Sequence, residues 1–284
     1  MTSSTGASGP DIRQEVTLAF AAVMGNFWRV LRFAGLPMLG GLGLFLWLFW
    51  SNPSPDAETL QVRPEAMNLW IADSAGTLTV GSLLMLWGYG RFLVRWYRWT
   101  ALGDDASTLI EPGLGKRELR TIGWTIVVGL ATIPAFFLLT LLAGALALIG
   151  GLAFGIAGGE DLGADLGGQL GSLLGFFVVC YIVARLSPGV VPVALDMGSA
   201  LARSWRETEP VAPASAMILW LIALPSNLLG LVGALGGGLV EDATGLLGIP
   251  VTLAVYAASA IFTARLWQAT LAPPTPVPSL DVEV

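Results

Sequence analysis

Three arginines close apolar runs in this chain: Arg95 in "FLVRWYRW", Arg185 in "IVARLSPG" and Arg265 in "FTARLWQA". Arg203 and Arg206, in "ARSWRETEP", repeat the pairing of arginine with tryptophan outside such a run. A guanidinium at the end of an apolar segment can fork onto the phosphate of an anionic lipid headgroup. Plain anchoring of the helix end in the membrane interface accounts for the same residues. The remaining reactive groups are few. Cys180 is the single cysteine, so no intrachain disulfide exists, and its setting in "GFFVVCYIVA" reads as a small buried hydrophobe. Asp104 with Asp105, and Asp196, follow apolar runs; paired carboxylates can hold a divalent ion, but a helix cap or a solvated turn is the simpler reading.

What is missing narrows the chemistry further. The chain has no histidine, which removes histidine general bases, Ser-His-Asp triads and His-ligated haem or zinc. It carries neither a phosphate-binding G-x-x-x-x-G-K-[ST] loop nor a G-x-S-x-G nucleophile turn. The reading is therefore a non-enzymatic protein with no metal, no cofactor and no nucleic-acid partner.

These residues sit in an apolar frame. Of 284 residues 55% are hydrophobic and 12% charged, against about 25% charged in soluble domains. Six segments reach the roughly 20 apolar residues that a bilayer crossing needs: about 31–50, 76–97, 124–149, 168–187, 213–236 and 247–268. No Asp or Glu lies centrally in any of them; Ser82, Thr140, Ser172 and Asn227 are typical of their polar content, and Asn227, two residues after Pro225, is the best polar candidate. With six crossings, 13 of the 14 basic residues fall on one side, and Arg63 alone on the other, among nine carboxylates. The positive-inside rule makes the basic side cytoplasmic, with both termini there. The predicted organisation is a tail over 1–10, a six-helix domain over 11–270 and a proline-rich tail over 271–284.

Glycine falls at every fourth position from Gly151 to Gly175, the spacing at which small residues let membrane helices approach closely. Glu160, Asp161 and Asp165 interrupt that run. An outside turn over 158–167 is therefore expected, with glycine faces Gly151/Gly155 and Gly167/Gly171/Gly175 on the two flanking helices. Pro37, Pro134 and Pro225 occupy similar places in spans one, three and five, and Arg95, Arg185 and Arg265 end spans two, four and six. The expected fold is an all-α membrane protein of six transmembrane helices, arranged as three pseudo-repeated hairpins plus cytoplasmic interfacial helices. The prolines are candidate kinks that could splay the bundle. Residues 11–33 and 198–210 read as helices lying in the headgroup layer. Trp28, Trp96, Trp99, Trp205 and Trp267 would form an inner aromatic belt, with Trp47, Trp50 and Trp70 near the outer one.

The stretch "ARLSPGVVPVALDMGSALARSWRETEP" carries an Arg-ended span, Pro188 and Pro192, then Ala200, Leu201, Ser204, Trp205 and Thr208 in an A-L-x-x-S-W-x-x-T pattern. It resembles a stretch in uncharacterised bacterial six-helix inner-membrane proteins of the YciC-like group. That group is similar in layout to the membrane domain of certain glycerophosphodiester phosphodiesterases. The resemblance covers about 25 residues and implies a bacterial cytoplasmic membrane; it implies no phosphodiesterase activity, because this sequence lacks the soluble catalytic domain. The functional expectation is a non-enzymatic multi-pass protein that packs with membrane lipids or within a larger membrane protein complex. The alternative is a small-solute transporter or channel using the proline-kinked helices.

Overall fold

The computed structural model describes residues 10–52, 55, 59, 62–63, 65–103, 115–155, 160–236 and 238–272. Among them every regular element is helical. α1 (Ile12–Gly25) leads into α2 (Phe27–Ser51) and α3 (Ala66–Leu102). α4 (Lys116–Ala131) and α5 (Ile133–Gly155) together make the third span, and α6 (Glu160–Leu186) the fourth. A 3₁₀ turn (Ser187–Gly189), α7 (Val191–Ala194), α8 (Leu201–Glu207) and a second 3₁₀ turn (Glu209–Val211) connect to α9 (Ala212–Gly236) and α10 (Gly238–Thr270). Six stretches are long and apolar enough to cross a membrane: Phe27–Ser51, Ala66–Leu102, Lys116–Ala153, Gly167–Ala194, Glu209–Gly230 and Pro250–Thr270. This is a multi-pass helical membrane protein, and each of the six expected spans overlaps one of these stretches.

Glycine rows zip two of the hairpins. A Cβ placed on Gly171 would lie 2.5 Å from the Ala143 Cα, and one on Gly175 2.8 Å from the Leu139 Cα; Gly167 abuts the Leu146 carbonyl. These glycines are one turn apart, so α5 and α6 meet almost backbone to backbone. The first hairpin is built alike: a Cβ on Gly41 would be 2.8 Å from the Gly81 carbonyl oxygen, and one on Gly88 2.6 Å from the Met38 Cα. Beyond α4, α5 has one extensive neighbour, α6, and α2 packs chiefly on α3.

The turn expected over 158–167 is shorter than the sequence indicates, because α6 already begins at Glu160. Likewise α10 begins at Gly238, inside the expected 237–246 loop, and α3 starts at Ala66, inside the expected 51–75 loop. Apolarity marks only the hydrocarbon layer, whereas helical hydrogen bonding continues through the polar headgroups. Three carboxylates in the first two turns also favour a helix there, since they stand at the positive end of its dipole. Gly151 and Gly155 carry no described close contact; 1–9 and 273–284, hence nearly all of both expected tails, and 156–159 lie outside the described residues.

The bundle is closed at its basic end and loose at the other. The buried cluster draws on Ala19–Phe33, Phe92–Ala101, Cys180–Ala194, Ala216–Ile222 and Val255–Leu271, all toward the end where the arginines gather. In the opposite halves large apolar side chains stand exposed, including Trp47, Trp50, Leu141, Leu148, Leu170 and Leu174. The proline positions differ in form. Gly35 (φ 66°, ψ −176°) breaks α2 two residues before Pro37. Pro134 is the second residue of α5, immediately after Thr132 separates it from α4. Pro225 lies within α9, and Pro250, not singled out from sequence, within α10.

Two expectations about the basic side are corrected. Trp96, Trp99 and Trp267 are core residues rather than belt residues, because Trp96 packs at 5.3 Å on Phe92 and 5.7 Å on Phe33. Trp28 is exposed at 70%. α1 turns Ala19, Ala22 and Val23 inward against α9 and α10, so the helix expected to lie in the headgroup layer is packed on the bundle, while Met24 points out.

Candidate functional site

Where the hairpins part, they leave a cavity of about 350 Å³, at the lower end of the usual small-molecule range. It lies beside Thr132, the residue between α4 and α5. Above it, α5 is zipped onto α6; below it, α4 leans toward α3 and has little contact with α6. The wedge between α4 and α6 is completed by α3, α9 and α10. Leu93, Val128, Val179, Val183, Leu219 and Val255 supply much of the apolar wall. Hydroxyls come from Tyr89, Tyr97, Thr125, Thr132, Ser187, Tyr256, Ser259 and Thr263, and the thiol of Cys180 joins them. Among the described residues that line the cavity there is no Asp, Glu, Lys or Arg. Thr125 and Thr132 donate back to the carbonyls of Thr121 (2.8 Å) and Gly129 (2.6 Å), the second satisfying the end of α4. The rings of Tyr89 and Tyr256 face each other at 5.7 Å. Ser187 Oγ and Thr263 Oγ1 stand 3.4 Å apart at the basic end.

That basic end is clamped by polar contacts. The Arg185 side chain is only 5% exposed. Its Nε donates to the Trp205 carbonyl at 2.9 Å, Nη2 donates to the same oxygen, and Nη1 donates to the Tyr181 hydroxyl at 3.0 Å. The guanidinium also lies 4.3 Å over the Trp205 ring. In return Ser204 Oγ donates to the Arg185 carbonyl at 2.7 Å, and Thr208 Oγ1 donates to the Ser204 carbonyl at 2.7 Å. The Gly189 carbonyl accepts from the Ala200 N–H at 3.1 Å, and a Cβ on Gly189 would be 2.8 Å from the Leu201 Cα. Ser204, Trp205 and Thr208 of the sequence pattern are thus the parts that seat α8 on the end of α6.

The other candidate arginines are distributed differently. Arg265 forks onto Glu15, with Nε and Nη2 each 2.9 Å from a carboxylate oxygen, tying α10 to α1. Arg203 pairs with Glu207 within α8 at 2.7 Å; this bond holds the Arg203 guanidinium above its ordinary pKa. Arg206 is exposed and Arg95 half-buried. The five candidates therefore form no single site: Arg185 and Arg265 hold elements together, and Arg203 and Arg206 share the exposed side of α8.

Asp196 is the acidic residue with the widest reach. It adopts φ 62° at the end of the α7 turn, bonds Arg117 through Nε at 3.0 Å and also through Nη2, and lies 4.0 Å from Arg98. The Arg117 hydrogen bonds hold its carboxyl below the usual range. Asp196 thus sits in an exposed turn, as the simpler reading expected, and from there pairs with arginines of α3 and α4. Asp104 and Asp105 lie outside the described residues, and among the described residues no three His, Cys, Asp or Glu side chains gather as metal ligands. Asn227 turns its amide onto the Ala223 carbonyl of its own helix at 3.1 Å.

Sequence reasoning did not find the cavity. Its lining comes from five spans, as hydroxyls scattered singly among apolar neighbours, and no local spacing joins them. The one available signal was the four tyrosines within spans, Tyr89, Tyr97, Tyr181 and Tyr256, of which all but Tyr181 line it. No family model, curated protein or solved structure matches this chain.

Proposed function

We propose that this chain is a non-enzymatic inner-membrane protein of a bacterium, both termini cytoplasmic, that packs with bilayer lipid and holds a lipid-derived molecule in the cavity between its hairpins. One observation carries the reading: the described residues of the cavity wall are apolar and hydroxylated without a charge, and two of them, Phe136 and Tyr256, are half exposed (47% each) within their spans. Residues exposed at that depth face hydrocarbon, so what enters there comes from the bilayer. Orientation follows from the charge partition. The layout of three repeated hairpins is supported by a cyclic set of contacts. Gly90, late in the first hairpin, packs on Ile122 at the start of the second. Arg185 ends the second and binds Trp205 ahead of the third; Arg265 ends the third and binds Glu15 ahead of the first. The match around Arg185 remains our basis for grouping the chain with the YciC-like proteins. Any larger assembly would meet the exposed face of α8, which presents Arg206 and the Arg203–Glu207 pair toward the headgroup layer.

The test is native mass spectrometry of the full chain released from nanodiscs. A retained lipid-sized adduct is expected, and it should be lost when Ala223→Phe fills the cavity. An adduct that survives this substitution, or no adduct in either protein, refutes the reading. A second reading, passage of a small uncharged solute, is favoured by the position of the Thr132 break against the cavity wall. Proteoliposome swelling in glycerol or urea at the rate of empty vesicles would dismiss it.

A further inference from the structure

We infer that the cavity selects a neutral amphiphile, a single hydrocarbon chain ending in an uncharged hydroxyl or ester, and excludes charged lipids. This rests on the lipid-holding reading above and names the class of molecule. The cavity has two unlike ends. At mid-span Phe136 and Tyr256 form a half-exposed aromatic rim. At the basic end the floor is the Ser187–Gly189 turn with Val190, buried at 3%, and it carries the Ser187 and Thr263 hydroxyls. A chain entering from the bilayer therefore meets the aromatic rim first and the Ser187–Thr263 pair last, and can lodge its polar end there with its tail toward the rim.

The charge of that polar end is set by what the floor lacks. A sulfate, phosphate or carboxylate at this depth would be an ion with no cation among the described lining residues, which burial disfavours strongly. Arg185 is engaged by the Trp205 carbonyl and Tyr181 hydroxyl, Arg117 and Arg98 face Asp196, and none of the three is among the residues that line the cavity. An alcohol fares differently. Ser187 Oγ and Thr263 Oγ1 are 3.4 Å apart, well beyond the 2.7–2.8 Å typical of hydroxyl pairs. A ligand hydroxyl placed against both replaces one poor bond by two good ones.

Cys180, the chain's single thiol, lines the cavity and provides the readout. The full chain in phosphatidylcholine vesicles is labelled with monobromobimane, an uncharged membrane-permeant reagent, in the presence of equal mole fractions of hexadecanol, hexadecane or hexadecyl sulfate. Should Cys180 be too enclosed to react, Ser259→Cys in a Cys180→Ser background takes the label at a half-buried lining position. Hexadecanol is expected to slow labelling about fivefold more than hexadecane, the worth of one hydrogen bond, and hexadecyl sulfate to give no protection. Thr263→Val, which keeps the shape, should reduce hexadecanol to the level of hexadecane; Ser187→Ala should do the same and serves if the first variant misfolds. Equal protection by hexadecane and hexadecanol, or protection by hexadecyl sulfate, overturns the neutral-alcohol inference while leaving a lipid-holding cavity. No protection by any of the three overturns the lipid-holding reading itself.

Discussion

Gly171→Ala and Gly144→Ala make the same chemical change on the two helices of one hairpin, and the structure gives them opposite signs. At Gly171 the added methyl carbon would sit 2.5 Å from the Ala143 Cα and 2.9 Å from both the Ala143 nitrogen and the Leu142 oxygen. Non-bonded carbons rest at about 3.5–4.0 Å, so α5 and α6 must separate by about 1 Å at this level. The opposing atoms are backbone and cannot rotate aside. With Gly167 and Gly175 one turn away on either side, stiff helices lose contact along the whole row, and overpacking of this kind costs about 1–3 kcal/mol. At Gly144 nothing lies within 4 Å, and the substitution should be neutral or gain up to about 1 kcal/mol from helix propensity. Thermal unfolding of the full chain in maltoside micelles, followed by circular dichroism, compares the two. Gly171→Ala is expected to lower the midpoint by several degrees and Gly144→Ala to leave or raise it. Gly171→Ala as stable as the parent would refute the claim that this hairpin is held by backbone proximity.

Gly35 sits at φ 66°, ψ −176°, a region essentially reserved for glycine, so Gly35→Ala should cost about 1–3 kcal/mol; Gly25→Ala, with nothing within 4 Å, is its control in the same unfolding assay. For the Arg185 clamp, Arg185→Lys should destabilise by a few kcal/mol, because an ammonium cannot fork onto Trp205 and Tyr181 and buried polar partners are left unmatched. Glu209→Gln should be nearly silent, since Glu209 is 72% exposed and 3.7 Å from the guanidinium; a reversed order of the two effects would show the ion pair, not the carbonyl contact, to be what matters. Asp196 has a depressed folded-state pKa, so its contribution is present above about pH 4, the unfolded value, and is lost as pH falls through the lower folded value. Hydrogen exchange over 190–198, corrected for intrinsic rates, should therefore rise only below about pH 4 in the parent, whereas Asp196→Asn should show the raised exchange already at pH 7.

The spans and the glycine spacing were legible because each is a one-dimensional pattern. Twenty apolar residues or a glycine every fourth position are properties of a single helix, and Gly167, Gly171 and Gly175 act in the structure as that spacing demands. The ends of α3, α6 and α10 were not legible, because polar residues stay helical beyond the hydrocarbon and hydropathy is silent about them. The tryptophans illustrate the third limit. Trp28 and Trp96 both sit beside arginines in aromatic, basic segments, yet one is 70% exposed and the other fully buried. Only the approach of Phe33 on α2 to Trp96 on α3 distinguishes them. Cavity lining is the extreme case, since it needs five spans placed at once.

The two ends of the bundle use different physics, and the cavity falls where one gives way to the other. At the basic end, side-chain hydrogen bonds lock short irregular elements: Arg185 with Trp205, Arg117 with Asp196, Arg265 with Glu15. These contacts are directional and join successive hairpins. Toward the other end, glycine rows hold α2 to α3 and α5 to α6 and leave the outer faces apolar; such packing binds a hairpin to itself and does little to bind it to the next. A third span continuous through Thr132 would have to follow one arrangement or the other. Its break lets α5 remain zipped to α6 while α4 joins α3. The space left in the wedge is thus a consequence of satisfying both halves, and a substitution that straightened the span, such as Pro134→Ala, should shrink the cavity and slow Cys180 labelling even with no amphiphile present. If labelling were unchanged, the wedge would owe nothing to the break.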